Sequence, residues 1–135
     1  MRQTKQDALI IQPDDLILVT GATGFIGSRL VENLLYRGFR NLRCFVRPSS
    51  QRAKVEAISS RREGTRVEVV RGNLLSFEDC AAAMKDVAIV FHLAAGRGEK
   101  SFPDAYMNSV VTTRNLLEAS VQHKCLKRFV NVSSF

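Results

Sequence analysis

The apolar positions along this chain change period several times, and each change marks an element. Leu16 to Thr20 is a short apolar run with β-branched members, the pattern of a buried strand, and it ends in a glycine-rich turn. Beyond the turn, Phe25, Ile26, Leu30, Val31, Leu34 and Leu35 recur at helical spacing, with Gly38 as a plausible stop. Leu42 to Val46 predicts a second strand closed by Pro48, and Ser50 to Arg62 a weakly patterned helix. Val67 to Val70 predicts a third strand. Ser76 with Asp79 three residues later is a capping pair for a helix through Met84, and Val87 to Leu93 predicts a fourth strand. Pro103 suits a first helical turn, and Met107, Val110, Leu117 and Val121 mark one apolar face of a long helix ending near His123. Phe129 to Val132 predicts the last strand.

Strands alternating with helices require right-handed crossovers, so the expected fold class is α/β, with a parallel, doubly wound sheet. Residues 1–14 read as a polar extension and 15–135 as one domain. The chain stops directly after the fifth strand, where such a fold ordinarily continues with another helix. A fragment, truncated after that strand, is the expectation.

Composition narrows the class. The 135 residues, 45% hydrophobic and 24% charged, suit one soluble globular domain. The longest nearly apolar stretch, Val87 to Ala95 with His92 inside it, is far below the roughly 20 residues that span a bilayer, and no targeting signal opens the chain. No membrane association is expected, and the cytoplasm is the default location. Cys44, Cys80 and Cys125 are odd in number and widely spaced, which fits neither a disulfide framework nor a metal knuckle. They read as inert filler, and no metal site is expected. The net charge of +7 admits several anionic partners, but its distribution separates them. Ten of the 20 basic residues fall between Arg37 and Arg71, dispersed through strand and helix patterns without interleaved aromatic platforms, so a nucleic-acid partner is not expected.

Thr20-Gly21-Ala22-Thr23-Gly24-Phe25-Ile26-Gly27 lies where the first strand gives way to a helix. In such a turn the first glycine permits the bend, the second lets a pyrophosphate approach the backbone, and the third allows close packing of helix on strand. Free N–H groups at the helix start bind the phosphates. No Lys-Ser or Lys-Thr follows the last glycine, which disfavours a P-loop nucleotide triphosphatase.

The spacing in TGATGFIG resembles the fingerprint of extended short-chain dehydrogenases/reductases, the group holding nucleotide-sugar epimerases, dehydratases and dihydroflavonol-reductase-like enzymes. Later segments agree with it in order: CFVRPSS, GNL, VFHLAAG, MNSVVTTRNLLEA and FVNVSS. The resemblance runs from about Leu16 to the last residue and implies a Rossmann-type domain holding NAD or NADP. It implies cofactor contacts from Gly21, Thr23, Gly24, Phe25, Ile26 and Gly27 in the turn, Asn73 and Leu74 after the third strand, Leu93, Ala94 and Ala95 after the fourth, and Asn108 on the long helix.

Arg47 stands twenty residues beyond Gly27, at the end of the second strand, where an acid would accept hydrogen bonds from the adenosine ribose of NAD. A guanidinium there can pair with a 2′-phosphate, so NADP is favoured over NAD. Asn73 occupies a position where the family usually has Asp, and its amide oxygen is expected to accept a bond from the adenine amino group. His92 reads as a satisfied, partly buried strand histidine rather than a catalyst. Ser109 stands where the family most often has Asn, and Thr112 where it most often has Gly, which implies altered packing of the long helix.

For catalysis the resemblance implies a hydroxyl at the end of the fifth strand holding substrate oxygen, a Tyr acting as acid or base, and a Lys four residues on that lowers the Tyr pKa. Ser134 matches the hydroxyl, with Ser133 as strand-end structure. The Tyr and Lys should follow after Phe135, since neither Tyr36 nor Tyr106 has a Lys four residues later. Two functions compete for the parent protein. One is reversible hydride transfer at a carbinol or sugar carbon of a small-molecule substrate, with epimerisation or dehydration as extensions. The other is a non-catalytic dinucleotide sensor or assembly subunit of the same fold. Homodimerisation is left open.

Overall fold

The computed structural model describes residues 9–59, 63–96 and 101–133. Most of the N-terminal extension, the end of the second predicted helix and Ser134 lie outside the described residues.

Five parallel strands form one sheet in the order β3-β2-β1-β4-β5: β1 (Ile17–Thr20), β2 (Asn41–Val46), β3 (Arg66–Arg71), β4 (Ile89–His92) and β5 (Arg128–Asn131). The register runs Ile17 opposite Leu42 on one side and Ile89 on the other, with Ile89 opposite Arg128. Every strand therefore ends at about the same level. The order reverses at β1, because β2 and β3 lie to one side of it and β4 and β5 to the other. Strand ends diverge at such a point, and a crevice opens between the connections that follow β1 and β4.

Alternation along the strands feeds two cores. Ile17, Val19, Leu42, Cys44, Val46 and Val67 face one side, where Val31 and Leu34 of α1 (Phe25–Tyr36) and Ile58 of α2 (Arg52–Ser59) cover them. Leu18, Phe45 and Val90 face the other, under Cys80, Ala83 and Met84 of α3 (Phe77–Met84) and Leu116 and Ala119 of α5 (Thr112–Ser120). The sheet is doubly wound, as the alternation of elements requires, and the fold is a Rossmann-type α/β domain. Ser76 caps α3 by accepting the Asp79 N–H at 3.2 Å. The carboxylate of Asp79 does not close the reciprocal half of that box, accepting instead from the Asn73 N–H at 2.8 Å.

Two expectations need correction. Ile11 is buried in the first core, and the Pro13 carbonyl accepts from the Arg40 N–H at 2.8 Å, so the packed unit begins before residue 15. The long helix does form: α4 (Phe102–Tyr106), a π-helical turn (Met107–Val111) and α5 are continuous. Its buried face is not the one read from the apolar residues. Met107, Val110, Leu117 and Val121 are exposed, Val121 at 84%, while Thr112, Leu116, Ala119 and Ser120 are buried. The wide π-helical turn inserts an extra residue, yet the four apolar residues within and after it are all exposed, so the difference lies in which stripe packs: the mostly small or hydroxyl-bearing Thr112, Leu116, Ala119 and Ser120 do. The Thr112 and Thr113 hydroxyls donate to the carbonyls of Asn108 and Ser109 within that turn, and such back-bonding bends helices.

Candidate cofactor site

The glycine turn is shaped by close approach. Gly21 adopts φ +68°, in the left-handed region, and a Cβ on it would lie 2.9 Å from the Ala94 backbone nitrogen. A Cβ on Gly27 would overlap the Gly21 carbonyl oxygen, so this third glycine sets the distance between α1 and the turn. The turn closes with the Gly24 N–H donating to the Gly21 carbonyl at 3.0 Å, and the helical ladder begins with the Ser28 N–H on the Gly24 carbonyl at 3.0 Å. The amides of Phe25, Ile26 and Gly27 precede that first bond and are the orphan donors of the helix start. Gly24 offers no side-chain cap, and the first turn of α1 holds no acid. The positive end of the helix is thus left for an anion.

This turn opens into a cleft of about 740 Å³ at the C-terminal ends of the strands. Gly21, Thr23 and Gly24 form its middle, Arg47, Asn73 and Leu74 line the β2–β3 side, and Leu93, Ala94, Ala95 and Asn108 the β4 side. Ten of the residues singled out from sequence therefore meet in one place. Phe25 and Ile26 do not line it, their side chains being 81% and 60% exposed, so their part is confined to backbone N–H groups. Gly27 acts through packing. Ser134 lies outside the described residues, although β5 brings Asn131 to the same end of the sheet.

Several cleft residues were not legible in the sequence. Ser49 and Ser50 follow Arg47 in a turn closed by the Ser50 N–H on the Arg47 carbonyl at 3.0 Å, and they line the cleft beside it. Arg71, at the end of β3, donates to the Pro48 carbonyl at 3.1 Å and brings a second guanidinium to this corner. Asn115 of α5 donates to the carbonyls of Leu74 and Leu75 at 3.0 and 3.2 Å and holds the loop after β3. On the opposite side, Ser109 accepts the Gly96 N–H at 3.0 Å, and Thr112 lines the cleft. The Ser109 departure thus braces the β4 loop against the helix, while the Thr112 hydroxyl bonds back to the Asn108 carbonyl of its own helix. Asn108 donates within its own helix, to the Asp104 carbonyl at 3.0 Å and carboxylate at 3.1 Å.

His92 ties the two sides together. The Thr113 hydroxyl donates to the Ser109 carbonyl, so at its 2.9 Å contact with His92 it accepts the proton of Nε2. Nδ1 is then bare and accepts from the Thr20 hydroxyl at 2.7 Å. Thr20 Oγ1 in turn accepts from the N–H groups of Leu93 and Ala94, both at 3.2 Å. Burial lowers the His92 pKa to about 4, which keeps the ring neutral and its tautomer fixed. The residue positions the β4 loop against the glycine turn.

Among the described residues no helix is long and apolar enough to cross a membrane, and no cluster of metal-ligating side chains occurs. Desolvation pushes the buried thiols of Cys44 and Cys80 up to about 12 and about 11, away from reactive thiolate.

The sequence model of the NAD dependent epimerase/dehydratase family matches residues 17–135. The chain is 37% identical over 134 residues to the NAD-dependent epimerase/dehydratase terH of Aspergillus terreus, with 93% of this chain and 37% of that protein covered. It is 36% identical over 127 residues to a 3 beta-hydroxysteroid dehydrogenase/Delta 5-->4-isomerase of Mycobacterium tuberculosis, covering 87% of this chain and 31% of that protein. Among solved structures, a UDP-glucuronic acid 4-epimerase of Bacillus cereus, in complex with UDP-glucuronic acid and NAD, superposes with a TM-score of 0.72 at 32% identity. That match covers 88% of this chain and 40% of the epimerase chain. The chain thus spans well under half the length of these relatives. With its glycine turn, its sheet order and nearly its whole length in agreement, the chain belongs to the NAD-dependent epimerase/dehydratase family.

Proposed function

We propose that the chain is the NAD(P)-binding part of an enzyme that transfers hydride reversibly at a carbinol or sugar carbon of a small-molecule substrate, with NADP favoured over NAD. The observation that carries the reading is the acid-free N-terminus of α1, which opens beside Gly21 and Gly24 onto the cleft at the β1/β4 switch point. When bound, the nicotinamide accepts or returns the hydride. The chain's own residues hold the cofactor. The amides of Phe25, Ile26 and Gly27 offer donors to the pyrophosphate, and Leu93 to Ala95 supply a backbone wall against which the nicotinamide half can lie. Relatives named for such different reactions share this part of the chain, which supports a common cofactor and substrates chosen elsewhere.

The preference for NADP rests on the corner after β2. Arg47, Ser49 and Ser50 line it, and Arg71 stands behind with a hydrogen bond to Pro48. A cation and two hydroxyls suit a 2′-phosphate, whereas the diol of NAD calls for a carboxylate. Ser134, by resemblance, would hold substrate oxygen, with proton transfer by a Tyr and Lys that this chain does not supply. A reducing, cytoplasmic setting is part of the same reading, supported by free Cys44, Cys80 and Cys125.

Fluorescence titration with NADPH and NADH tests it. NADPH should bind more tightly, and Arg47→Asp should reverse the order, since a charge-assisted hydrogen bond is worth about 1.5 to 3 kcal/mol. Equal affinities, or tighter NADH, would refute the preference, and failure of both to bind would refute the cofactor site.

A further inference from the structure

Parallel pairing sets Arg71 of β3 directly across from Val46 of β2, the residue before Arg47. Neighbouring strands lie about 4.8 Å apart, so two guanidinium side chains leave the sheet from adjoining strand ends. Like charges this close repel each other. Arg40, Arg43 and Arg52 are each neutralised by an acid, Asp14, Glu68 and Glu56 in turn. Arg47 and Arg71, although adjacent, meet no carboxylate among the described residues. The corner beside Ser49 and Ser50 is therefore a pair of cations without an internal counter-ion.

Arg71 also ties the corner down. One of its terminal nitrogens donates to the Pro48 carbonyl at 3.1 Å and to the Arg47 carbonyl at 3.5 Å. The same Arg47 carbonyl closes the turn by accepting the Ser50 N–H at 3.0 Å. Two carbonyl oxygens that would oppose an anion are thus engaged by a cation, and the turn that carries Arg47, Ser49 and Ser50 is fastened to the end of β3. A phosphate monoester carries about −1.5 to −2 charge at pH 7, which one guanidinium leaves only partly neutralised.

We propose that Arg71 is a second determinant of cofactor specificity, holding the β2 corner and adding the positive charge that a 2′-phosphate dianion needs beyond Arg47. Arg71 does not line the cleft, so it is a positioning residue, acting through the turn it fastens and the field it adds. The inference rests on the NADP reading above. NADH brings only a ribose diol to this corner and gains little from either effect.

NADPH and NADH are titrated by fluorescence into wild type, Arg71→Gln and Arg71→Lys, with circular dichroism and a melting curve to check each fold. Gln keeps an amide donor for the Pro48 carbonyl and loses the charge, whereas Lys keeps both a donor and the charge. Arg71→Gln should lower the preference for NADPH over NADH at least about fivefold, with NADH affinity within about twofold of wild type. Arg71→Lys should keep most of the wild-type preference. Comparing the two ligands separates recognition of the phosphate from damage to the whole site, which weakens both. A smaller change in Arg71→Gln, an equal loss for both ligands, or a Lys variant no better than Gln would overturn the proposal. Should Arg71→Gln fail to fold, Arg71→Met is read in its place against the same margin. These outcomes are distinct from failure of the underlying reading: wild type without a preference for NADPH brings down the NADP reading, and wild type that binds neither dinucleotide brings down the cofactor site, in each case with this inference.

Discussion

His92 should make the stability of this domain fall on mild acidification. Its side chain is 1% exposed and neutral, bonded through Nδ1 to Thr20 and through Nε2 to Thr113. Protonation would turn Nδ1 into a donor facing a hydroxyl already committed to the N–H groups of Leu93 and Ala94, and would place a charge in the core beside Phe129. Burial lowers the pKa from 6.5 to about 4, so the unfolded chain takes up the proton first as the pH falls. The contribution is complete above the unfolded value of 6.5, is lost progressively down to about 4, and changes no further below that. Between about pH 7.5 and about pH 4.5 the linkage relation gives a loss of about 2 to 3 kcal/mol, a large share of the usual 5 to 15 kcal/mol of a domain. Urea unfolding at the two pH values measures it, with His92→Gln as the reference. Asp15, whose carboxyl is held below its ordinary value by its hydrogen bond to Lys127, is present in both proteins and cancels in the difference. A wild-type loss matched by the variant, or no loss at all, would refute the assignment of a buried neutral ring.

The second and third glycines of the turn should fail in different ways. A Cβ at Gly24 lies 3.2 Å from the Gly21 carbonyl oxygen and points no deeper into the fold, so Gly24→Val should abolish dinucleotide binding while circular dichroism stays close to wild type. Retained binding in a folded variant would move the phosphate site elsewhere. Gly27→Val drives a side chain into the Gly21 carbonyl and should cost several kcal/mol of stability, at the upper end of overpacking penalties of about 1 to 3 kcal/mol or beyond. A melting temperature within a degree or two of wild type would contradict that close packing.

Much of the site was legible because its chemistry is local. The turn needs Gly21 for a positive φ and Gly27 for contact, and both needs act within a few residues of sequence. Arg47 was readable because a strand end fixes where it must lie. What escaped was non-local or hidden by composition. Asn115 holds the loop after β3 across 40 residues of sequence, and nothing in its neighbourhood announces that partner. The buried face of the long helix was misplaced because its packing stripe, Thr112, Leu116, Ala119 and Ser120, is mostly small or polar, while a more apolar stripe stays exposed. The bond from the Leu75 N–H to the Asn73 side-chain oxygen is likewise hidden in the sequence, because only the fold sets that amide over the turn that follows it.

The location of the cofactor is the claim on which the rest depends, and backbone amide mapping tests it most directly. Amide spectra, or hydrogen exchange, are recorded for the chain with and without saturating NADPH. Protection and shifts should concentrate in Gly21 to Gly27, Arg47 to Ser50, Asn73 to Leu75 and Leu93 to Gly96, the four loops that meet at the C-terminal ends of the strands. Changes centred instead on the opposite end of the sheet, around the charged groove of Asp14, Arg66, Asp86 and Lys124, would contradict the account.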